Sequence, residues 1–381
     1  MSLPHVAVVG AGPGGLVLAV VLHRAGIPVT VYERDAGPDT RDQGGTLDLH
    51  VPSGQRALRE VGLEAQFQAV ARGEGQDMVL LDSAGTVLVR DETPDDAPML
   101  RPEIDRRALR DLLLGALPDG VVAWGRHCVA SEPLTAGSGM RLHLADDTTA
   151  DADLVVGADG AHSRVRALLT DVEPRYSGKT MIEMNIPDAD RTAPAVAAAV
   201  GRGSYWALGE CRTLAAQRNG DGRIRVYLTK QVPLDWPQTC GIPFDDGDTA
   251  RPMLVEQLLA GWAPELTALV TATHGPILVR QMEVLPAGLR WAPRPDVTLL
   301  GDAAHLMPSA GEGANQAMLD GLLLGRALIE QHDVASALRV YEEEMFARTA
   351  AIAAESARIE AMISSPTAAQ DMTRFFSRTA A

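Results

Sequence analysis

The most restrictive feature of this sequence is its opening run, which joins a strand, a glycine-rich turn, a helix and a second strand that ends on an acid. Val6-Ala7-Val8-Val9 is a short apolar stretch bounded by glycine, the pattern of a buried strand. Gly10-Ala11-Gly12-Pro13-Gly14-Gly15 follows at once, and Leu16 to Arg24 reads as a helix with Gly26 at its C-terminal stop. Pro28 to Tyr32 forms the second strand and leads to Glu33 and Arg34. In such a unit Gly10 permits the tight turn, Gly12 lets backbone N–H groups approach a pyrophosphate, and Gly15 lets helix and strand pack closely. The helix N-terminus presents unpaired N–H groups to phosphate. Glu33, 18 residues after Gly15, is spaced to accept a ribose hydroxyl. A lone glycine cluster makes ordinary turns, but the whole array predicts a dinucleotide site at Gly10, Gly12, Gly14, Gly15, Glu33 and Arg34. It does not distinguish NAD from FAD.

Length and charge narrow the setting. The 381 residues suggest two to three domains, and 46% hydrophobic residues supply material for sizeable cores. A net charge of −16 repels phosphate backbones, so nucleic acid is not an expected partner. Cys128, Cys211 and Cys240 are far apart and form no CxxC pair, which argues against a redox dithiol, a zinc site or a disulfide framework. The first strand begins close to His5, leaving no room for a signal peptide, and the apolar run Leu16 to Leu22 is too short to span a bilayer. The expectation is a cytoplasmic protein, monomeric or weakly dimeric, acting on a small molecule.

Two later segments decide the nucleotide. Asp153 to Val156 is a strand leading into Gly157-Ala158-Asp159-Gly160-Ala161-His162-Ser163-Arg164-Val165-Arg166, where Ser163 is placed to cap a helix starting near Val165. Val297 to Leu300 is another strand. It leads into Gly301-Asp302-Ala303-Ala304-His305, then Pro308, Gly311, Gly313, Ala314 and Asn315, and a helix from Gln316 to Ile329. Asp302 at a strand end can accept a sugar hydroxyl, and the Gly311/Gly313 loop can offer N–H donors to a pyrophosphate or a ring edge.

These three segments resemble, in order, the fingerprint, DG motif and GD motif of the group A flavoprotein monooxygenases, the p-hydroxybenzoate hydroxylase-like family. The resemblance implies an α/β architecture. A Rossmann-type (GR2-like) FAD-binding domain is discontinuous over 1–72, 100–175 and 288–339. A β-sheet substrate-binding domain spans 73–99 and 176–287, and a C-terminal helix 340–381. It also implies FAD as cofactor, NAD(P)H and O₂ as co-substrates, and oxygen transfer through a flavin C4a-hydroperoxide, with no catalytic side chain and no metal. No second complete GxGxxG occurs, which fits transient binding of the nicotinamide cofactor.

Arg41-Asp42-Gln43-Gly44-Gly45-Thr46-Leu47-Asp48-Leu49-His50 and Glu103-Ile104-Asp105-Arg106-Arg107-Ala108-Leu109-Arg110 are more distinctive and resemble the tetracycline-inactivating flavin monooxygenases. That resemblance places Arg41 at NADPH, Asp48 near the flavin N5 edge and Arg106 at FAD, with Arg110 on the same helix. The middle of the chain departs from that subfamily, presenting Glu183, Ser204 and Arg225 at the polycyclic-substrate positions, and Ser309 interrupts the usual double proline after Pro308.

Met78 to Val89 reads as a hairpin, and Met181 to Ile186, Thr213 to Gln217 and Arg223 to Leu228 as further strands of a sheet above the flavin. Alternation puts Arg223, Arg225 and Tyr227 on one face, able to hold a phenolate or carboxylate. Glu183, Ser204, Trp206, Arg225 and Tyr227 are therefore the candidate substrate residues. Val340 to Arg358 reads as one long helix. The expected reaction is hydroxylation of an electron-rich aromatic or polycyclic molecule, antibiotic- or polyketide-like. Baeyer–Villiger oxygenation, C=C reduction and a non-catalytic flavin- or ligand-binding role are the alternatives on the same fold. Flavin halogenases are disfavoured because no WxWxIP segment occurs.

Overall fold

Every side chain of Val6–Val9 is apolar and buried, which a strand sustains only when both of its faces are covered. A computed structural model, describing residues 3–40, 44–135 and 139–379, places this strand at the centre of a five-stranded sheet. The order is Val297–Leu299, Leu154–Gly157, Val6–Val9, Val29–Tyr32 and Val122–Ala123, and every neighbouring pair is parallel. The register sets Val9 beside both Gly157 and Tyr32, and Gly157 beside Leu299. All three glycine-bearing segments and Glu33 therefore leave the sheet at one edge, its carboxyl end, where open α/β sheets bind ligands. The helices Pro13–Arg24 and Gly313–Glu330 pack together beneath that edge.

A second sheet has seven strands in the order His274–Val284, Arg175–Ile186, Ile224–Gln231, Arg212–Arg218, Ser204–Gly209, Met78–Asp82 and Val87–Asp91. It is antiparallel except where Ser204–Gly209 runs parallel to Met78–Asp82. Period-two alternation divides its faces. Ile182, Met184, Leu214, Ala216, Val226 and Leu228 form a core against the helices Pro194–Val200, Gly247–Leu258 and Pro264–Thr271. The opposite face carries Met181, Glu183, Thr213, Ala215, Tyr227 and Thr229, and it looks toward the carboxyl edge of the first sheet.

Two sequence expectations are corrected here. Arg223 does not share the face of Arg225 and Tyr227, because the strand begins at Ile224 and the Arg223 Nε pairs with Asp221 at 2.6 Å. The single C-terminal helix is two, Val334–Ile363 and Ala368–Thr379. Pro366 lies in the break and has no N–H to continue an α-helical ladder. The longer helix starts where Asp333 accepts the Ser336 N–H at 2.8 Å, and the shorter one presses Ala368 and Met372 onto Leu80 and Leu208. Ser163 does cap, accepting the Arg166 N–H at 3.0 Å, but the turn that follows is a short 3₁₀ segment, Arg166–Leu168. Among the described residues no helix is long and apolar enough to cross a membrane.

Candidate active site

A cavity of about 550 Å³ runs from the carboxyl edge of the parallel sheet to the face of the antiparallel one. Its floor is largely backbone: Gly12, Gly14 and Gly15 from the first turn, Gly301 and Asp302 from the third motif, and Pro308, Gly311, Gly313 and Ala314 from the loop that follows. Asp48 and Arg106 form a side wall, and Trp206 and Tyr227 look down from the sheet. Gly10 lies just behind. Its φ is +108°, and a Cβ there would collide with the carbonyl oxygen of Ala158, so only glycine lets the first and second motifs touch.

The floor suits a pyrophosphate. Helices of 12 and 18 residues both begin on this cavity, and neither has a side-chain cap or an acid in its first turn. Their first N–H groups and the positive ends of their dipoles converge on one place. Behind the floor Asp159 is nearly enclosed: its Oδ2 accepts the Arg164 N–H at 2.7 Å, while its Oδ1 has no protein partner. Burial pushes its carboxyl up. Burial also raises Asp302, against the opposing fields of His305 and Arg106. A buried acceptor and two open helix N-termini match a dinucleotide whose hydroxyls donate and whose phosphates accept. Beneath them the wholly buried Asp320 accepts the Gly301 N–H at 2.8 Å, lies 2.6 Å from His305 Nε2 and receives Arg348 at 2.7 Å. Burial opposes its ionisation, but His305 and Arg348 hold it below the usual carboxylate range.

Asp48 is held from three sides. Gly311 lies against its carboxylate, where a Cβ would stand 3.3 Å away. His50 Nε2 is 3.0 Å from Asp48 Oδ2, and His50 Nδ1 is 3.2 Å from Glu312 Oε1. Hydrogen bonds to Asp48 and then Glu312 push the imidazole up to about 10, so it bridges the two acids as a cation at neutral pH. Asn315 does not line the cavity but bolts the two loops together. Its Nδ2 donates to the carbonyls of Asp48 and Gly311 at 2.8 and 3.0 Å, and its Oδ1 accepts from His50 N–H at 2.9 Å and Gly54 N–H at 3.2 Å.

Glu33, Arg34 and Arg110 lie together beyond the cavity floor. Glu33 is buried and accepts the N–H groups of Ala11 at 2.8 Å and Asp35 at 3.0 Å, tying the strand end to the glycine turn. Arg34 is exposed beside it. Arg110 is buried, with its guanidinium 3.5 Å from Asp35 and 5.1 Å above the Trp124 ring. Arg41 falls outside the described residues.

On the sheet, cross-strand register sets Glu183, Tyr227, Ala215 and Trp206 in one row. Tyr227 and Trp206 line the cavity with the small Ala215 between them. The Tyr227 hydroxyl is pushed up to about 12 by burial and by Glu183, so it stays a neutral donor. The Trp206 indole N–H is buried without a protein acceptor. Glu183 and Arg225 do not face the cavity as open charges. They form an ion pair at 4% and 2% exposure, and Arg280 Nε also donates to Glu183 at 2.6 Å. Gly45 presses against this row, since a Cβ there would stand 2.6 Å from the Tyr227 hydroxyl. Ser204 sits one row away, receiving a long 3.4 Å contact from the Gln217 amide.

Sequence reasoning missed Thr213, Gln217 and Thr229, which alternation on their strands would have placed beside Tyr227. It also missed the far wall, Glu360, Ile363 and Ser364 of the long helix, which no local pattern signals. There the buried Lys179 ammonium pairs with the Glu360 carboxylate and the Ser364 hydroxyl.

Known proteins agree with this geometry. The model of a family described as an FAD binding domain matches residues 4–207 and 266–356. The chain is 32% identical over 372 residues to the monooxygenase penA of Penicillium thymicola, covering 85% of this chain and 84% of that one. It is 31% identical over 360 residues to the 3-amino-4-hydroxybenzoate 2-monooxygenase PtnB3 of Streptomyces platensis, covering 89% and 83%. Klebsiella pneumoniae HpxO, solved with FAD and uric acid, shares the fold at a TM-score of 0.79 and 23% identity, covering 98% of this chain and 92% of that one. The tetracycline destructase Tet(51) shares it at 0.72 and 16%, covering 99% and 96%.

Proposed function

Because the chain belongs to the FAD binding domain family and is an FAD-dependent monooxygenase, we propose that it uses NAD(P)H and O₂ to hydroxylate an electron-rich aromatic or polycyclic molecule, antibiotic- or polyketide-like in size. The observation that carries this reading is the continuity of the cavity, which joins a floor of helix N-termini to a sheet face lined by Tyr227 and Trp206. Bound FAD supplies the reducing and oxygen-activating chemistry that no side chain here provides. The helix starts at Pro13 and Gly313 hold its pyrophosphate, Asp302 and Asp159 accept its hydroxyls, and Asp48 and Arg106 flank its ring.

The protein's own part is orientation, exclusion of water and donation of hydrogen bonds. Asp48 is fixed by His50 and by the proximity of Gly311, so its carboxylate enters the cavity at a set position. The Tyr227 hydroxyl and the Trp206 indole N–H face a bound ring as donors. The long helix closes the cavity end through Lys179, Glu360 and Ser364.

Purified protein is expected to be yellow, to oxidise NADH or NADPH faster when a phenolic or polycyclic substrate is added, and to release a product one oxygen heavier. A product two hydrogens heavier, or NAD(P)H oxidation indifferent to every aromatic tested, would overturn the hydroxylase reading.

A further inference from the structure

The charges around the substrate end of the cavity cancel. Among the described lining residues three acids, Asp48, Asp302 and Glu360, face three bases, Arg106, Lys179 and Lys230. Lys179 is already joined to Glu360. Arg106 lies on the cofactor side, in the fields of Asp302 and Glu183. Arg225, the cation nearest the middle of the sheet face, is buried in its ion pair with Glu183. A bound dinucleotide adds pyrophosphate charge to this balanced wall, and the whole chain is at −16. A carboxylate or other anion entering here would lose its hydration without gaining a free cation, a cost only a paired charge avoids.

The same face offers an uncharged ring a good seat. Strands lie about 4.8 Å apart, so Tyr227 and Trp206, two strands apart with Ala215 between, border a trough about 10 Å wide. Its borders present two donors, the Tyr227 hydroxyl and the Trp206 indole N–H, and Met181 and Met282 add polarisable apolar surface.

We propose that the substrate is an uncharged planar aromatic or polycyclic molecule bearing acceptor oxygens, lying over Ala215 between Tyr227 and Trp206, and that Glu183 determines this specificity by neutralising Arg225. The proposal rests on the hydroxylase reading and separates this chain from relatives named for 3-amino-4-hydroxybenzoate and 6-hydroxynicotinate. Glu183 acts through Arg225 and is a positioning residue, not a catalytic one.

The test uses the FAD-loaded protein and two isosteric pairs, 4-hydroxybenzamide against 4-hydroxybenzoate and 3-hydroxy-2-naphthamide against 3-hydroxy-2-naphthoate. Binding is read from the perturbed flavin absorbance and turnover from product mass. The amide of at least one pair is expected to bind about tenfold tighter or more, the scale of one hydrogen bond to a charged group. Equal binding, tighter carboxylate binding or no binding by either amide overturns the proposal. Amide preference without oxygen gain leaves the charge selection standing and removes the hydroxylase reading instead. Glu183→Gln releases Arg225 and is expected to tighten carboxylate binding by about tenfold to a hundredfold; an unchanged preference in the folded variant overturns the role of Glu183. If Glu183→Gln does not fold, the native panel decides alone.

Discussion

On the cofactor side of the cavity the wall is mostly main chain, and its polar groups are left open toward the ligand. Helix N–H groups at Pro13 and Gly313 have no side-chain caps, and one oxygen of Asp159 has no protein partner. On the substrate side the wall is side chain, and its charges are satisfied within the protein: Glu183 with Arg225 and Arg280, Lys179 with Glu360. The contrast teaches what each half asks of its guest. The first half lacks partners and is completed by a ligand rich in phosphate and hydroxyl groups. The second is complete in charge and selects by shape and a few neutral donors.

Removing one member of the buried substrate-side pair should show the largest effect. Glu183→Ala is expected to lower folding stability by about 3–5 kcal/mol, because Arg225 is left as an uncompensated buried charge. Urea unfolding measures this, and a loss below about 1 kcal/mol would mean the pair is solvated and the contrast false. Next is Gly10→Ala, which forces a side chain into a positive-φ position against Ala158. About 2–3 kcal/mol of strain should appear as FAD affinity weakened by roughly a hundredfold, with the substrate sheet still folded by circular dichroism. Full retention of yellow colour through gel filtration would count against a backbone-built floor.

Asn315→Ala removes four hydrogen bonds that join the Asp48 loop to the Gly311 loop and should cost about 2 kcal/mol. The melting temperature and FAD dissociation constant should move together; a change in substrate affinity alone would contradict the placement. The smallest effect is pH-dependent. The folded pKa of His50 lies near 10, above its ordinary 6.5, so its bridge contributes fully below about pH 6.5 and fades as pH rises through about 10. His50→Gln should therefore cost about 1 kcal/mol near neutrality, and its melting curve should converge with that of the parent above pH 10. A gap that persists there would mean the imidazole acts through packing.

The sequence was most legible where the backbone does the binding. A positive φ at Gly10 and a close approach at Gly45 need glycine whatever surrounds them, so these residues stand out in the one-dimensional string. Parallel strands buried on both faces announce themselves as unbroken apolar runs, and these fixed the carboxyl edge where the motifs meet. The substrate face is assembled by register between strands distant in sequence. Alternation correctly paired Arg225 with Tyr227 on one face but could not show that Glu183, 42 residues away, would neutralise the arginine. Arg223 was misplaced by a single residue of strand boundary, enough to send its side chain elsewhere. The break at Pro366 was in view, yet alanine-rich helix propensity on both sides concealed it.

The 30-residue helix Val334–Ile363 is about 45 Å long. Its middle holds Arg348 against Asp320 under the dinucleotide floor, and its end holds Glu360 against Lys179 at the far wall. Those two contacts are 12 residues apart, a little over three turns. A lineage altering residues 360–364 can therefore lengthen or shorten the molecules it accepts while every glycine and acid of the three motifs stays untouched, giving drift in diet a path separate from the cofactor.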